Sequence, residues 1–296
     1  MTSRNASAPR NFFAGEGKST SVFRLFRNHL LTGLCISLSL LTLVPLFSIV
    51  VLVVGNGLPL ISTALFTELP PPPGADGGGF GNAIVGTLVM VGISLVISVP
   101  LGILAAVYVN EYAPGSRLSS SVRFVAKLLT GIPSIICGVF AFAAVVMTTH
   151  KFSALAGGIA LSILILPTIL LTAEQALLGV PSSFREASFG VGATPFQTIW
   201  RIVLPEAMPS VMTGVMLAVS RAAGETAPVL FTALFSQNWI RSVLEPTASL
   251  SVLIYNFASL PYAYHIKLAW SASLVLVTLV TVTNVLTQLV FAPKHR

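Results

Sequence analysis

The sequence predicts an all-α integral membrane protein with six transmembrane helices. Composition is the first reason: of 296 residues, 54% are hydrophobic and only 8% charged, against about 25% charged in an ordinary soluble domain. The second is a set of six continuous apolar stretches, each long enough for a hydrocarbon core about 30 Å thick, which takes about 20 helical residues. The third is that these stretches do not alternate with the period of two that a lipid-facing barrel strand needs.

The six expected spans are 29–53, 83–110, 124–148, 154–178, 209–235 and 266–291. The first is too long, and lacks a following small-residue cleavage site, to read as a signal peptide. The expected organisation is a basic tail at 1–28, a membrane domain at 29–292 containing a loop at 181–207, and a short tail at 293–296. Twelve of the sixteen basic residues fall on one side, in the first tail, the 2–3 and 4–5 connections and Lys294-His295-Arg296. Lys151, Arg241 and Lys267 fall on the other, and Arg221 lies within a span. The positive-inside rule then places both termini in the cytoplasm.

On the outer side, the segment 54–82 contains Pro70 to Pro73 followed by Gly74, Gly77, Gly78 and Gly79. Prolines in a row favour an extended strand, and the glycines a flexible turn into the second span. Cys35 and Cys137 sit in separate apolar runs, without the spacing of a metal site or a disulfide, and read as packing residues. Gly15-Glu16-Gly17-Lys18-Ser19-Thr20 resembles part of a nucleotide-binding loop, but that motif needs glycine where Phe12 stands. If ATP drives this protein, another chain binds it.

The 4–5 connection carries two helix-start signals. Ser183-Phe184-Arg185-Glu186 has the spacing of a capping box, and Thr194-Pro195-Phe196-Gln197 repeats it with proline at the first helical position. Gly192 lies between them, where a helix end takes positive φ, and Leu204-Pro205 is expected to stop the second helix. Two short helices with a sharp bend follow. A DNA-reading helix-turn-helix is excluded, since only Arg185 and Arg201 are available for phosphates. An element lying on the bilayer and a docking knob for a partner protein both fit this pattern.

Span five holds two charges at membrane depth. Arg221 is about twelve residues into the expected span, near the bilayer middle, where an ionised side chain costs about 2.5–3.5 kcal/mol. Glu225 follows on the same helix face. One reading is an ion pair that only holds helices together; the other is a guanidinium that receives a permeating anion, with Glu225 holding it between substrates. Arginine suits an oxyanion because its planar fork donates two parallel hydrogen bonds. Ser220 and Thr226 flank the pair, and Pro228 is expected to kink the helix beyond it. Kinks are also expected at Pro100, Pro133 and Pro167.

Glu186-Ala187-Ser188, then Gly192 after three residues, then Ile202-Val203-Leu204-Pro205 after nine, resembles the EAA signature of ABC importer permeases, with Ser188 for the second alanine. The resemblance implies a type I permease-like fold in which 183–203 is a cytoplasmic coupling loop seated on an ATPase subunit. Arg221-Ala222-Ala223-Gly224-Glu225-Thr226-Ala227-Pro228 is similar to the PstA-type permeases of bacterial phosphate importers. So are Gly81 to Thr87, Pro100 to Tyr112, Gly131 to Ile135 and Ile254 to Pro261.

The implied protein is a transport subunit, not an enzyme, in the bacterial inner membrane. It binds no cofactor itself and takes no nucleic acid. Its implied partners are a PstC-type permease in a heterodimer, a PstB-type ATPase homodimer that uses the ATP, a PstS-type phosphate-binding protein, and membrane lipid. An importer of another oxyanion (sulfate, molybdate or phosphonate) is the alternative within this class. A secondary transporter with Glu225 as its proton site is the alternative outside it, and internal repeats, its usual mark, are not found. There is one departure: Leu171 stands where those permeases carry an arginine, which leaves Glu174 without that partner, at a helix end where it can reach water.

Overall fold

The computed structural model describes residues 22–291. The amino-terminal basic residues up to Lys18, the Gly15–Thr20 stretch and the Lys294-His295-Arg296 tail lie outside the described residues. The chain falls into two compact units that meet between Val51 and Leu52 in sequence. The described residues of the first, 22–51, all belong to α1 (Val22–Gly57), a 36-residue helix that continues past Pro45 and whose last six residues fall in the second. At 1.5 Å per residue it is about 54 Å long, well beyond the about 30 Å of a hydrocarbon core.

The second unit is built from α2 (Gly81–Tyr112), the bent pair α3 (Arg117–Thr130) and α4 (Ser134–Thr149), α5 (Ala154–Leu178), α6 (Ser182–Gly190), α7 (Pro195–Gly224), α8 (Ala227–Thr232), α9 (Leu250–Ala258) and α10 (Ala263–Phe291). Five helices are long and apolar enough to cross a membrane, and the bent pair makes a sixth span if counted as one. All described regular structure is helical.

Two expected spans are redrawn. The third is not straight: α3 and α4 meet at 107° across Gly131-Ile132-Pro133. Proline disfavours helical backbone in the residue before it and has no N–H to continue the ladder, so the chain turns there. The part of the expected span before Gly131 belongs to α3, an amphipathic helix capped by the Ser116 hydroxyl. The fifth span starts earlier and ends sooner than expected. Leu204-Pro205 does not stop the helix: a π-helical turn at Ile199–Val203 runs straight into Leu204–Gly224. The wider turn leaves Pro205 at the head of a new α-helical ladder, where a missing N–H is harmless. The helix ends instead at Gly224, with Glu225 in extended conformation (ψ 125°), and Pro228 lies in the first turn of α8. By contrast Pro100 and Pro167 lie inside continuous helices.

The glycine-rich segment before α2 is packed rather than flexible. Backbone N–H groups of Gly79, Phe80 and Gly81 donate to the carbonyls of Leu69, Leu65 and Glu68 at 2.9, 2.9 and 3.2 Å. Phe80 is fully buried beneath this fold-back.

Small residues set the helix crossings. A Cβ on Gly102 would meet Ile169, and one on Gly158 would meet Ile93, so α2 and α5 pack almost backbone to backbone. The Ser98 hydroxyl bridges them, donating to the Ser162 carbonyl at 3.0 Å. α7 crosses α5 where Gly214 faces Thr172. Both cysteines are free, and Cys137 is buried in α4.

The tightest approach joins α2 to the segment before α9: a Cβ on Gly86 would stand 2.0 Å from the backbone carbonyl oxygen of Ala248. Backbone cannot yield as a side-chain tip does. Gly86→Val is therefore expected to destabilise the protein by at least about 1–3 kcal/mol, read as loss of monodisperse protein after detergent extraction. Gly92→Ala, which meets nothing within 4 Å, is expected to leave the yield unchanged.

Candidate functional site

Three arginine–glutamate pairs occur among the described residues, and they differ in kind. Glu174, in the last turns of α5, is 5% exposed, so its carboxylate does not reach water. Arg123 of α3 meets it with Nε on Oε1, and its Nη2 donates to the Val109 carbonyl of α2 at 3.2 Å. The cation that Leu171 does not supply comes from a different helix. The second pair joins Glu111 at the end of α2 to Arg185 of α6, through Nε at 3.2 Å and Nη2 at 2.6 Å.

The third pair is Arg221 and Glu225. Their closest approach is 3.5 Å, longer than a good hydrogen bond, and the Arg221 side chain is 39% exposed. Arg221 is not at the middle of its helix but in its last turn, where a cation complements the helix dipole. Glu225 follows as the chain leaves the helix, and the Ser251 hydroxyl of α9 donates to its carbonyl at 2.8 Å. α8 then packs on α4, with Gly138 so close to Pro228 that a Cβ would stand 2.7 Å from the Pro228 Cα. The charged pair thus sits at a break in a membrane helix, held from two sides by α4 and α9.

The structure separates residues that the sequence grouped. Ser220 does not join Arg221; its hydroxyl is bonded to Asn284 of α10, which donates back through Nδ2 at 2.8 Å. Thr226 is half-buried at the break, and its carbonyl accepts from the Leu230 N–H at 2.9 Å. Glu174 belongs to another cluster. The α5–α7 crossing falls at Thr172 and Gly214. Glu174 lies to one side of it, and Arg221 lies seven residues, about 10 Å, to the other.

At the basic end, α6 and the first turns of α7 form the two-helix loop. Thr194 and Gln197 make both bonds of a capping box. Ser183 does not cap: Pro181 stands at that position, so Ser183 is already inside the helix and Glu186 is left exposed. Gly192 takes φ +84° with nothing within 4 Å of where a Cβ would stand, so backbone conformation alone calls for glycine there. Ala187 is exposed, while Ser188 is buried and shares a 2.8 Å hydroxyl–hydroxyl bond with Thr198. The serine at this place in the signature therefore ties the two short helices together. Ile202 is half-buried, Leu204 is buried in the core and Pro205 is exposed. Phe184, Phe189, Phe196 and Trp200 are all exposed on the loop, a concentration of aromatic surface.

A membrane bundle with a broken, charge-bearing helix and a capped loop outside the bundle is the architecture of an ABC importer permease. The same fold occurs in a bacterial ABC transporter that imports the acidic polysaccharide alginate, with TM-score 0.57 and 18% identity over 92% of this chain and 98% of that one. It occurs again in the inward-facing MetNI methionine ABC transporter, with TM-score 0.56 and 22% identity over 73% and 94%. Residues 98–292 match the family of binding-protein-dependent transport system inner membrane components. The phosphate transport system permease protein PstA of Yersinia pestis is 41% identical over 81% of this chain and 82% of its own length. That of Haemophilus influenzae is 37% identical over 92% and 96%. The probable PstA of Methanocaldococcus jannaschii is 32% identical over 86% and 89%. The chain belongs to this family of multi-pass inner membrane transport components, and within it to the PstA-type permeases.

Removing Arg123 strands a buried carboxylate. Arg123→Met is expected to cost about 3 kcal/mol, the low end for breaking a buried pair, because the guanidinium is itself 28% exposed. The double variant Arg123→Met/Glu174→Met is expected to recover most of that loss. Thermal unfolding of the detergent-solubilised protein checks both.

Proposed function

We propose that this chain is the permease subunit of an ATP-driven importer that carries inorganic phosphate inward, with Arg221 as a cation on the anion's path. The observation that carries the reading is the contrast among the three pairs. Arg123 and Arg185 are engaged on buried carboxylates, whereas Arg221 stands 3.5 Å from Glu225 and keeps an exposed guanidinium. An arginine held loosely at a helix break can exchange one carboxylate partner for a passing oxyanion, then return to it. The fork of donors suits a tetrahedral phosphate. The curated relatives are phosphate transport permeases, which supports the same substrate.

The chain makes and breaks no covalent bond in this scheme. A separate ATPase dimer hydrolyses ATP, docks on the exposed aromatic surface of 183–203, and moves the loop; Glu186 is exposed on the same loop. A second, PstC-type permease supplies the other half of the path, and an external binding protein delivers phosphate. Both termini then lie in the cytoplasm, on the side where the basic residues gather. Thr226, at the break itself, is a further candidate contact. Ser220 is not, since Asn284 occupies its hydroxyl.

In a strain lacking its own PstA-type permease and supplied with the matching partners, the chain is expected to restore ATP-dependent phosphate uptake that sulfate and molybdate do not compete. Competition by either would reassign the substrate. Arg221→Ala is expected to lower uptake at least about 100-fold, as for loss of a charged hydrogen-bonding group from a binding path, while the protein still reaches the membrane; unchanged uptake would remove Arg221 from the path.

A further inference from the structure

The coupling loop has two helices, and they meet the membrane bundle in different ways. The second is continuous with it: residues 195–224 form one helix from the loop to the Arg221–Glu225 break. The first, α6, follows α5 after three residues, 179–181, and has only nine residues of its own, too few to hold its direction as an isolated helix. Besides the Ser188–Thr198 bond, what fixes it is Arg185. This guanidinium takes both Glu111 oxygens, through Nε and Nη2, and Asn110 Nδ2 donates to the same carboxylate at 2.8 Å. Its remaining donors reach the end of α5: Nη1 to the Val180 carbonyl at 2.8 Å and Nη2 to the Leu177 carbonyl at 3.1 Å. The Leu177 carbonyl lies in the last turn of α5, at the negative end of its dipole, so the cation is doubly matched. The Glu111 side chain is 8% exposed, which keeps the pair from being screened by water.

We infer that Arg185 and Glu111 are the positioning pair that fixes the coupling loop to the α2–α5 pair, so that movement of the loop becomes movement of the membrane helices. This rests on the reading of 183–203 as the ATPase-docking loop and goes one step inward from it. α2 and α5 are packed through Gly102 and Gly158 nearly backbone to backbone, so a displacement delivered to one reaches both. Ser188 and Thr198 bind α6 to the root of α7. A push on the loop is therefore delivered at two points, through Arg185 into α2–α5 and along α7 to Arg221. Without the arginine, α6 can pivot under the ATPase about the 179–181 connection to α5, and α2 stays behind. Substrate contacts are untouched by that slippage, and ATP hydrolysis is untouched too; what is lost is the link between them.

The test is made on the whole importer, this chain with its partner permease, ATPase and binding protein, in proteoliposomes given phosphate and ATP. Glu111→Gln keeps shape and removes charge; Arg185→Lys keeps charge and removes the fork; Arg185→Ala removes both. All three are expected to co-purify with the ATPase and keep the KM for phosphate. Maximal uptake is expected to fall about tenfold or more in Arg185→Ala and Glu111→Gln and less in Arg185→Lys, with more ATP hydrolysed per phosphate moved. Uptake within about twofold of the unaltered importer, or uptake and hydrolysis falling by one common factor, would overturn the anchor. Glu186→Lys, which leaves the pair intact, tests the docking surface separately through loss of ATPase co-purification. Normal co-purification and uptake in that variant would refute the docking reading, and with it the basis of the anchor.

Discussion

A carboxylate buried in an apolar interior stays ionised only with a cation against it, and this constraint organises the chain's inner machinery. The idealised cost of moving one such charge from water to a low-dielectric interior is of order 20 kcal/mol, and several kcal/mol remain after relaxation. Glu174 and Glu111 are each more than nine-tenths buried, and each is met by an arginine from another helix. Those two contacts tie α3 to α5, and α6 to α2 and α5. Because truncating either partner strands the other, the pairs specify which helix ends meet even where they add little net stability. Glu225 obeys the same constraint in a weaker form: it is more exposed, its partner is farther off, and the helix is broken beside it. Rigidity and availability are thus two settings of one interaction.

The breaks and close approaches follow from the solvent. In lipid every backbone N–H and carbonyl needs a partner within the protein, so a helix can open only where something else fills the gap. At Glu225 the filler is the Ser251 hydroxyl. At the start of α9 the Thr87 hydroxyl of α2 accepts the Leu250 N–H at 2.9 Å, and Ser249 caps Val252. The serines and threonines that interrupt the apolar runs are therefore part of the backbone's hydrogen bonding. Gly86, Gly138 and Gly214 let the elements carrying these groups come close enough to use them.

How much of this was legible depended on whether the cause was local. Apolar length and basic-residue asymmetry are local, so the spans and their order could be read. The Thr194 capping box and the positive φ of Gly192 are local too, and both stand in the structure. The Ser183 cap failed because two residues earlier Pro181 had already set the helix start, a competition that spacing alone does not rank. The stop expected at Pro205 failed because a π-turn absorbed the proline, which depends on how α7 packs. The charge pairs were the largest omission. Arg123 and Arg185 entered the sequence reading as orientation signals, and Glu111 only as part of a motif. The available signal was scarcity: with nine acidic residues in the whole chain, a glutamate at the end of an apolar run needs a named partner.

The arginine missing at Leu171 shows what that scarcity implies. A residue at 171 would pair with Glu174 from within the same helix, one turn away, and would fix nothing beyond that helix. Arg123 reaches the same carboxylate from α3, on the far side of the 107° bend, and also holds the Val109 carbonyl of α2. Neutralising Glu174 from another helix joins three elements with one side chain. The pair pins the amphipathic α3 against the ends of α2 and α5. The same ends receive Arg185. Both buried pairs thus converge on the ends of α2 and α5, and the Arg123–Glu174 contact adds a second bond to the assembly that carries the loop.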